Sequence, residues 1–362
     1  TMLDLRTKHW TTIWRQKMTV ELSERIESET QLDALLARPS DALVEFMRQL
    51  DGDLIILGIA GKMGVSLGQL AVAAIKKAGV SKNVYGVARF TDADARARLE
   101  SAGVQTIQCD LLDREAIAQL PSVPNVLFMA GRKFGTEGTE PLTWAMNTMA
   151  PANVAHHFRE SKIVAFSTGC VYPLAAVDQQ PTELTPPGTI GEYAQSCLGR
   201  ERMFEYGSLE WGTPVCLYRL NYAIDLRYGV LHDIAAKIWN EQPVDNSVQA
   251  FNVIWQGDAN HQALMCLDHC ASPANVLNVT GPETLLTEDV ARRFGELLNK
   301  PVQFTTTPSD ASYLSDSSQA RKLFGAPSVS ADQLIRWQAH WIKIGGRSLN
   351  KPTHFEVNDG AY

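Results

Sequence analysis

The stretch DLIILGIAGKMG, residues 53–64, joins an apolar run to a loop that contains three glycines. The apolar half predicts a buried strand, and residues 64–79 have the spacing of an amphipathic helix. Gly58, Gly61 and Gly64 therefore lie in the turn between a first strand and a first helix. We expect the backbone N–H groups of this turn, with the helix dipole, to hold a pyrophosphate. The alternative is a purely structural tight turn.

The same alternation of strand and helix continues as far as residue 221 and predicts the fold class. Further strands are predicted over residues 83–89, 104–110, 125–131, 162–169 and 213–221, and helices over 92–103, 113–120, 139–159 and 192–208. Short apolar strands that alternate with helices indicate an α/β protein with a Rossmann-type, doubly wound parallel sheet.

Three regions are predicted along the chain. Residues 1–50 form a helical N-terminal extension, with Ser40 or Asp41 as the N-cap of its second helix. Residues 51–225 form an NAD(P)-binding Rossmann domain. Residues 226–362 form a mainly substrate-binding lobe with the C-terminal tail, and some strands return from there to the main sheet. Within this lobe Thr287 is predicted to cap a helix that begins TEDVARRF.

The composition excludes several classes of function. The net charge is −7, and 45% of the residues are hydrophobic, which argues against nucleic acid or an anionic membrane as a partner. Apolar runs are far shorter than a membrane span. Six cysteines scattered over a long chain favour a reducing compartment, so we expect a cytoplasmic protein. Cys266 and Cys270 share one helical face, and we interpret them as buried thiols, with no metal site.

Two positions bear on which dinucleotide is bound. Arg89 follows the second strand, and Lys62 lies within the glycine loop. An arginine directly after the second strand accommodates a ribose 2′-phosphate, so NADP(H) is favoured over NAD(H). Asp92 and Asp94 lie close by, and they leave NAD(H) open. Asp110, after the third strand, is expected to meet the adenine.

A series of motifs resembles one family. In chain order these are GIAGKMG, CDLLD, FMAG, AMNTMAPANV, FSTGCVYP, EYAQSC and YRLNYAID, followed by VIWQGDA and LNVTGPE. Together they resemble the extended short-chain dehydrogenase/reductase family, the group of nucleotide-sugar epimerases and dehydratases, over about residues 53–300. The resemblance implies an NAD(P) cofactor, a sugar, sugar-acid or polyol-like substrate, and a homodimer formed through the helices at 139–159 and 192–208.

Carried over residue by residue, the resemblance implies an active-site hydroxyl at Thr168 and a catalytic tyrosine at Tyr193. In such enzymes the hydroxyl orients the substrate, and the tyrosine passes a proton as hydride moves to or from the nicotinamide. Substrate contacts are expected from Ser167, Asn221 and Tyr222. The predicted cofactor contacts are Gly58, Gly61, Lys62, Met63, Gly64, Arg89, Asp110, Leu111, Ala130 and Gly131.

The sequence departs from the family one helical turn after the tyrosine. The family carries a lysine there, which holds the nicotinamide ribose and lowers the tyrosine pKa, whereas this chain has Cys197. A thiol supplies no positive charge, so oxidation, which needs Tyr193 as a base, is affected most. Three outcomes stay open. Arg132, Lys133 or Arg200 supplies the charge, Tyr193 works only as an acid, or the chain binds a dinucleotide without turnover.

The reaction type is narrowed by the residues after Thr168. Dehydratases of this family carry acidic partners there, whereas this chain has Gly169 and Cys170. Dehydration is therefore disfavoured, and oxidoreduction or epimerisation is predicted. The alternative function is a non-catalytic sensor or structural protein that binds a dinucleotide.

Overall fold

The computed structural model describes residues 22–133, 138–310 and 312–357. The first part of the predicted N-terminal extension, residues 1–21, and the end of the tail, residues 358–362, lie outside the described residues.

The strands and helices alternate as predicted. The strands are β1 (Leu54–Leu57), β2 (Val84–Ala88), β3 (Gln105–Gln108), β4 (Asn125–Phe128), β5 (Lys162–Thr168), β6 (Val215–Leu220), β7 (Ala223–Ile224), β8 (Ala250–Phe251), β9 (Ile254–Trp255), β10 (Asn275–Val279) and β11 (Leu285–Leu286). The helices are α1 (Glu29–Leu36), α2 (Asp41–Gln49), α3 (Gly64–Ala78), α4 (Ala93–Ala102), α5 (Arg114–Ala118), α6 (Glu140–Trp144), α7 (Ala150–His157), α8 (Gly191–Trp211), α9 (Val230–Trp239), α10 (Gln256–Met265), α11 (Thr287–Leu298), α12 (Ser318–Phe324) and α13 (Ala331–Lys343).

Seven strands form one sheet in the order β10-β6-β5-β4-β1-β2-β3, with every neighbouring pair parallel. The Rossmann-type α/β fold is therefore confirmed. Strand β1 is buried along its whole length. The strands β2 and β4 flank its edges, and helices cover both faces of the sheet. Strand β1 lies between β2 and β4, where the strand order reverses. A crevice at the carboxyl ends of the strands forms at such a switch point, and ligands of open α/β sheets bind there.

Apolar side chains cover both faces of the sheet and fill the C-terminal lobe. One face packs against α2, α3 and α10, and the opposite face packs against α5, α7 and α8. A further core in the lobe contains Trp337 and Trp341 from α13 and Phe294 from α11. Leu32 and Leu36 of α1 belong to this lobe core, whereas α2 packs on the sheet. The described part of the N-terminal extension therefore ties the lobe to the sheet.

Two local predictions need correction. The helix predicted over residues 139–159 is interrupted by a π-helical turn, Ala145–Met149, between α6 and α7. Thr287 does not cap α11, because the N-cap is Leu286 and the Thr287 hydroxyl donates to the Val248 carbonyl at 2.7 Å. The N–H of Thr287 also bonds to the preceding strand segment, so a tertiary partner takes the place of the local cap. Ser40 does cap α2, as predicted.

Helices are either too short or too polar to cross a membrane throughout the part of the chain that the structure describes.

Candidate active site

The glycine loop between β1 and α3 accepts no side chain at its first and last glycines. Gly58 has a φ of +87°, and a Cβ there would lie 2.6 Å from the backbone nitrogen of Ala130. A Cβ on Gly64 would lie 2.2 Å from the carbonyl oxygen of Ile59. Both distances are far below van der Waals contact, so these positions require glycine.

The start of α3 suits an anion. Met63 is its N-cap, and no side chain caps the helix, so N–H groups of the first turn are left for a ligand. The chain turns tightly before it, through bonds from Gly61 N–H to the Gly58 carbonyl and from Gly64 N–H to the Gly61 carbonyl, each 3.1 Å. This arrangement fits the pyrophosphate of a dinucleotide.

The first turn of α3 is also held by side chains of α10 that were not predicted as site residues. The Ser66 hydroxyl accepts from the side-chain amides of Gln256 and Asn260 on α10, both at 3.0 Å, and donates to the Met63 carbonyl. All three side chains are buried. Gln256 lies in the VIWQGDA motif, but its contact with Ser66 was not predicted, because this contact depends on α10 packing beside α3.

Asp92 and Arg89, which both follow β2, have different environments. Asp92 is the N-cap of α4, and its carboxylate accepts from the Asp94 N–H at 2.9 Å. Arg89 is exposed and forms no ion pair within the described chain. Of the two acidic side chains that complicated the choice of dinucleotide, Asp92 is therefore already used as a helix cap, whereas Asp94 is exposed.

The predicted adenine contacts lie after β3. The Asp110 carboxylate accepts from the N–H of Leu112 at 3.0 Å, which closes a turn. Leu111 is buried, and its carbonyl accepts from the side chain of Asn153 at 3.2 Å. Both residues are therefore held at the edge of the sheet where the carboxyl ends of the strands lie.

A buried arginine organises the end of β4. A Cβ on Gly131 would lie 2.4 Å from a guanidinium nitrogen of Arg200. That guanidinium donates to the Phe166 carbonyl at 2.9 Å and to Asn147 at 2.7 Å. Asn147 lies in the π-helical turn, and its amide accepts and donates bonds that hold the loop after β4. Ala130 is buried beside the glycine loop.

Thr168 and Tyr193 are brought to the same edge by β5 and α8. Thr168 ends β5, and its hydroxyl accepts from the N–H of Cys170 at 3.2 Å. The 3-10 turn that follows, Gly169–Val171, packs against the start of α8, where Tyr193 and Cys197 join one apolar cluster. The structure therefore places the turn that follows Thr168 against the part of α8 that carries Tyr193.

The Tyr193 hydroxyl and the Cys197 thiol lie close enough for each group to shift the pKa of the other. Burial raises the pKa of Tyr193 well above its usual value, the nearby Cys197 and Cys170 raise it further, and Arg200 lowers it. Burial also raises the pKa of Cys197, whose side chain is fully buried. Both groups are therefore protonated at neutral pH.

The Ser167 side chain points to the opposite face of the sheet from that of Thr168, because successive side chains of a strand alternate between the two faces. Its hydroxyl donates to Glu201 at 2.5 Å. Glu201 also binds Arg219 through two bonds of 2.9 and 2.7 Å, and Arg219 donates to Tyr172. The structure thus places Ser167 in a buried polar network behind the predicted site.

Asn221 and Tyr222 connect β6 to the lobe. The Asn221 amide donates to Asn252 at 2.8 Å and to the Tyr313 carbonyl at 3.1 Å. Tyr222 has a φ of +39° and an edge contact with Phe251, with ring centroids 6.1 Å apart. Burial raises the pKa of Tyr222 well above its usual value. Both residues lie where the lobe meets the sheet edge.

Lysines approach this edge from two loops. The Lys62 ammonium lies 3.5 Å from the ring centroid of Tyr228, and burial, with Lys133 and Lys351 nearby, lowers its pKa to about 7. The Lys133 ammonium lies 5.7 Å from the ring centroid of Tyr193. It donates to the Thr353 carbonyl in the C-terminal segment at 3.3 Å. Lys133 was one of the three predicted sources of positive charge, whereas its partner in the C-terminal segment, Thr353, was not predicted.

Cys266 and Cys270 are free thiols, and burial raises the pKa of both well above the usual value. Across residues 22–133, 138–310 and 312–357, histidine, cysteine and carboxylate side chains nowhere converge in threes at a metal-binding distance.

Residues 54–224 match the model of the NAD dependent epimerase/dehydratase family. The matched region, which includes the glycine loop, Thr168 and Tyr193, is similar to that family, and the resemblance expected from the motifs is confirmed. The chain matches no curated protein.

Solved structures share the fold at low identity. UDP-glucuronic acid 4-epimerase from Bacillus cereus in complex with NAD is 18% identical, with a TM-score of 0.67, and the match covers 80% of this chain and 98% of that one. UDP-glucose 4-epimerase from Thermus thermophilus with NAD is 18% identical, with a TM-score of 0.65 and coverage of 80% and 99%. dTDP-glucose 4,6-dehydratase from Bacillus anthracis with NAD is 13% identical, with a TM-score of 0.67 and coverage of 81% and 97%.

Proposed function

We propose that this protein is an NAD(P)-dependent oxidoreductase or epimerase that acts on a sugar, sugar-acid or polyol-like substrate. The observation that carries this proposal is the glycine loop at the switch point of the sheet, where Gly58 and Gly64 have no room for a side chain. Tyr193 and Thr168 lie at the same edge of the sheet. The solved structures that share the fold include enzymes of nucleotide sugars with bound NAD.

In the proposed reaction a bound nicotinamide supplies hydride transfer. Thr168 orients the substrate oxygen through its hydroxyl, which the N–H of Cys170 holds in place. Tyr193 donates a proton to, or accepts one from, the same substrate oxygen. Because burial keeps Tyr193 protonated at neutral pH, the acid role is favoured, and we expect carbonyl reduction to be faster than alcohol oxidation.

The experiment has two stages. Calorimetry with NAD⁺ and NADP⁺ first tests cofactor binding. Nicotinamide absorbance is then followed with a panel of sugars, sugar acids, their keto forms and nucleotide sugars. Saturable binding with turnover of one class supports the proposal, and absence of heat with both dinucleotides overturns it.

The replacement of the family's lysine by Cys197 favours a second candidate, a dinucleotide-binding protein without turnover. Tight dinucleotide binding, together with no change in nicotinamide absorbance for any compound of the panel, would support this alternative.

The dinucleotide is proposed to be NADP(H). Arg89 is exposed at the end of β2 without an ion pair in the described chain, and Asp92 is engaged as a helix cap. An arginine at this position pairs with a 2′-phosphate. The calorimetry decides the point, since tighter binding of NAD⁺ would contradict this preference.

A homodimer through α6–α7 and α8 is also proposed. These helices pack side by side, and their outer surface exposes Leu142, Met149, Tyr206 and Leu209. Light scattering should give a dimer for the wild type and a monomer for Leu209→Glu. Leu184→Glu, at an exposed leucine outside these helices, is the control, and a monomeric wild type would contradict the proposal.

A further inference from the structure

The family's lysine is missing from α8, and three cations were candidates to replace it. Arg200 uses its guanidinium to join the Phe166 carbonyl and Asn147, and thereby holds the ends of β4 and β5 together. Arg132 donates to the Thr139 hydroxyl at the start of α6. Both side chains already bond neighbouring backbone and loop groups, and Arg200 acts on Tyr193 through its charge, which lowers the tyrosine pKa.

Lys133 has a different position. It follows the Ala130–Gly131 pair that adjoins the glycine loop, so its backbone lies at the proposed cofactor edge. Its ammonium reaches the ring of Tyr193, 5.7 Å from the centroid. Cys170 and Cys197 both lie near this ammonium group. The side chain therefore spans from the cofactor edge to the tyrosine.

Because the Cys197 side chain is short, the space near Tyr193 has room for the Lys133 ammonium group. The short side chain of Cys197 is fully buried and packs with Val171, Tyr172 and Tyr193. A lysine at position 197 would bring a second ammonium group to the same place, where like charges repel.

The C-terminal segment holds the Lys133 ammonium. The Thr353 carbonyl accepts from it at 3.3 Å. Thr353 in turn is anchored on α9, because its N–H and its hydroxyl both donate to Asp233 at 2.6 Å. Burial lowers the pKa of Lys133, and the nearby Asp233 opposes this shift by favouring the charged form. A backbone carbonyl and a nearby carboxylate thus stabilise a buried ammonium group.

We propose that Lys133, held by the C-terminal segment, takes the role of the lysine that the family carries at position 197. It is a positioning residue that supplies positive charge to the nicotinamide end of the bound dinucleotide. This inference rests on the proposed function.

The test compares dinucleotide binding with ADP binding by calorimetry, because ADP reaches the glycine loop and lacks the nicotinamide end. Lys133→Met should weaken NADP⁺ and NAD⁺ binding about tenfold, the effect of losing one hydrogen bond to a charged group. ADP binding should stay unchanged, and Lys133→Arg should retain most of the dinucleotide affinity. Arg132→Met, which removes a neighbouring charge, is the matched control and should bind like the wild type.

A double variant sharpens the test. Cys197→Lys alone should bind dinucleotide no better than the wild type, whereas Cys197→Lys combined with Lys133→Met should regain affinity relative to Lys133→Met. If the Cys197 variants do not fold, Lys133→Met and Arg132→Met decide the question.

The outcomes separate the two proposals. A wild type that binds neither dinucleotide overturns the proposed function. A wild type that binds, with Lys133→Met binding equally well, overturns the role of Lys133 alone. Equal losses for ADP and the dinucleotides in Lys133→Met would show a structural effect and also overturn that role.

Discussion

The glycine loop and the surroundings of Tyr193 are built in different ways. The loop is one contiguous segment, residues 58–64, and its geometry depends on backbone atoms and on the absence of side chains. The surroundings of Tyr193 combine β5, α8, the loop after β4 and the C-terminal segment. A backbone cradle has to keep its glycines in place. A positive charge acts through space, so any element that reaches the tyrosine can provide it.

The largest effect is expected at the last glycine of the loop. Gly64→Ala places a Cβ 2.2 Å from the Ile59 carbonyl oxygen, so the loop must shift. We expect dinucleotide binding to be lost and the free energy of unfolding to fall by about 3 kcal/mol or more. Gly79→Ala is the control. It has a φ of +68° and open space, and should cost about 1 kcal/mol with binding intact. Urea unfolding and calorimetry measure both, and normal binding by Gly64→Ala would contradict the assignment of the cradle.

At the other region, Tyr193→Phe should remove the proton donor and leave the cradle intact. Turnover of a substrate from the panel should fall by about 10² to 10⁴, with dinucleotide affinity unchanged. Tyr206→Phe, on the exposed face of the same helix, should behave like the wild type. A Tyr193→Phe variant with full turnover would remove the tyrosine from the mechanism.

The helix that braces the cradle carries two buried groups whose titrations oppose each other. His261 on α10 accepts from the Ser40 N–H and donates to the Gly257 carbonyl, and burial lowers its pKa to about 4. Between pH 6.5 and 4 the unfolded chain therefore binds a proton that the folded chain does not. Stability falls by about 3 kcal/mol as the pH falls through this range.

Burial raises the pKa of Asp258 to about 6, although Ser328 donates to its carboxylate. The folded chain takes up this proton first, so between pH 6 and 3.8 stability rises by about 3 kcal/mol as the pH falls. Asp258→Asn should remove this gain. Its unfolding free energy should drop about 3 kcal/mol more than that of the wild type between pH 6.5 and 4. If urea titrations gave the wild type and Asp258→Asn the same change in unfolding free energy with pH, the raised pKa of Asp258 would be contradicted.

The smallest effect is expected at the adenine end of the cradle. Arg89→Ala should weaken NADP⁺ binding about tenfold and leave NAD⁺ binding unchanged, because one ion pair with a phosphate is lost. Arg202→Ala, on the surface of α8, is the control. Equal changes for the two dinucleotides would argue against a 2′-phosphate contact.

Much of the fold was predictable because it rests on local periodicity. The first six strands of the main sheet lie where apolar runs predicted them, and each is one to three residues shorter than predicted. The interruption by Ala145–Met149 and the displaced cap at Thr287 were not predicted. Each depends on partners distant in sequence: the loop after β4 for Asn147, and the Val248 carbonyl for Thr287.

The candidate site was predictable to a different degree at each residue. Motif order led to Thr168 and Tyr193, and the turn that follows Thr168 packs against the part of α8 that carries Tyr193. Ser167, next to Thr168, turns into the network of Glu201 and Arg219 instead. The brace of Ser66 by Gln256 and Asn260 had no local signal, since the partners lie about 190 positions apart.

The amino-acid sequence by itself determined the parallel α/β sheet and the glycine cradle, because both follow from patterns within a few neighbouring residues. It also showed that Cys197 stands where a lysine was expected. Only the tertiary structure showed which positive groups lie near Tyr193: Arg200 lowers its pKa, and the Lys133 ammonium lies 5.7 Å from the centroid of its ring. Lys133 reaches it because β4 ends beside the glycine loop and Thr353 holds its ammonium. Contacts of this kind depend on where distant segments meet, and no local pattern encodes that position.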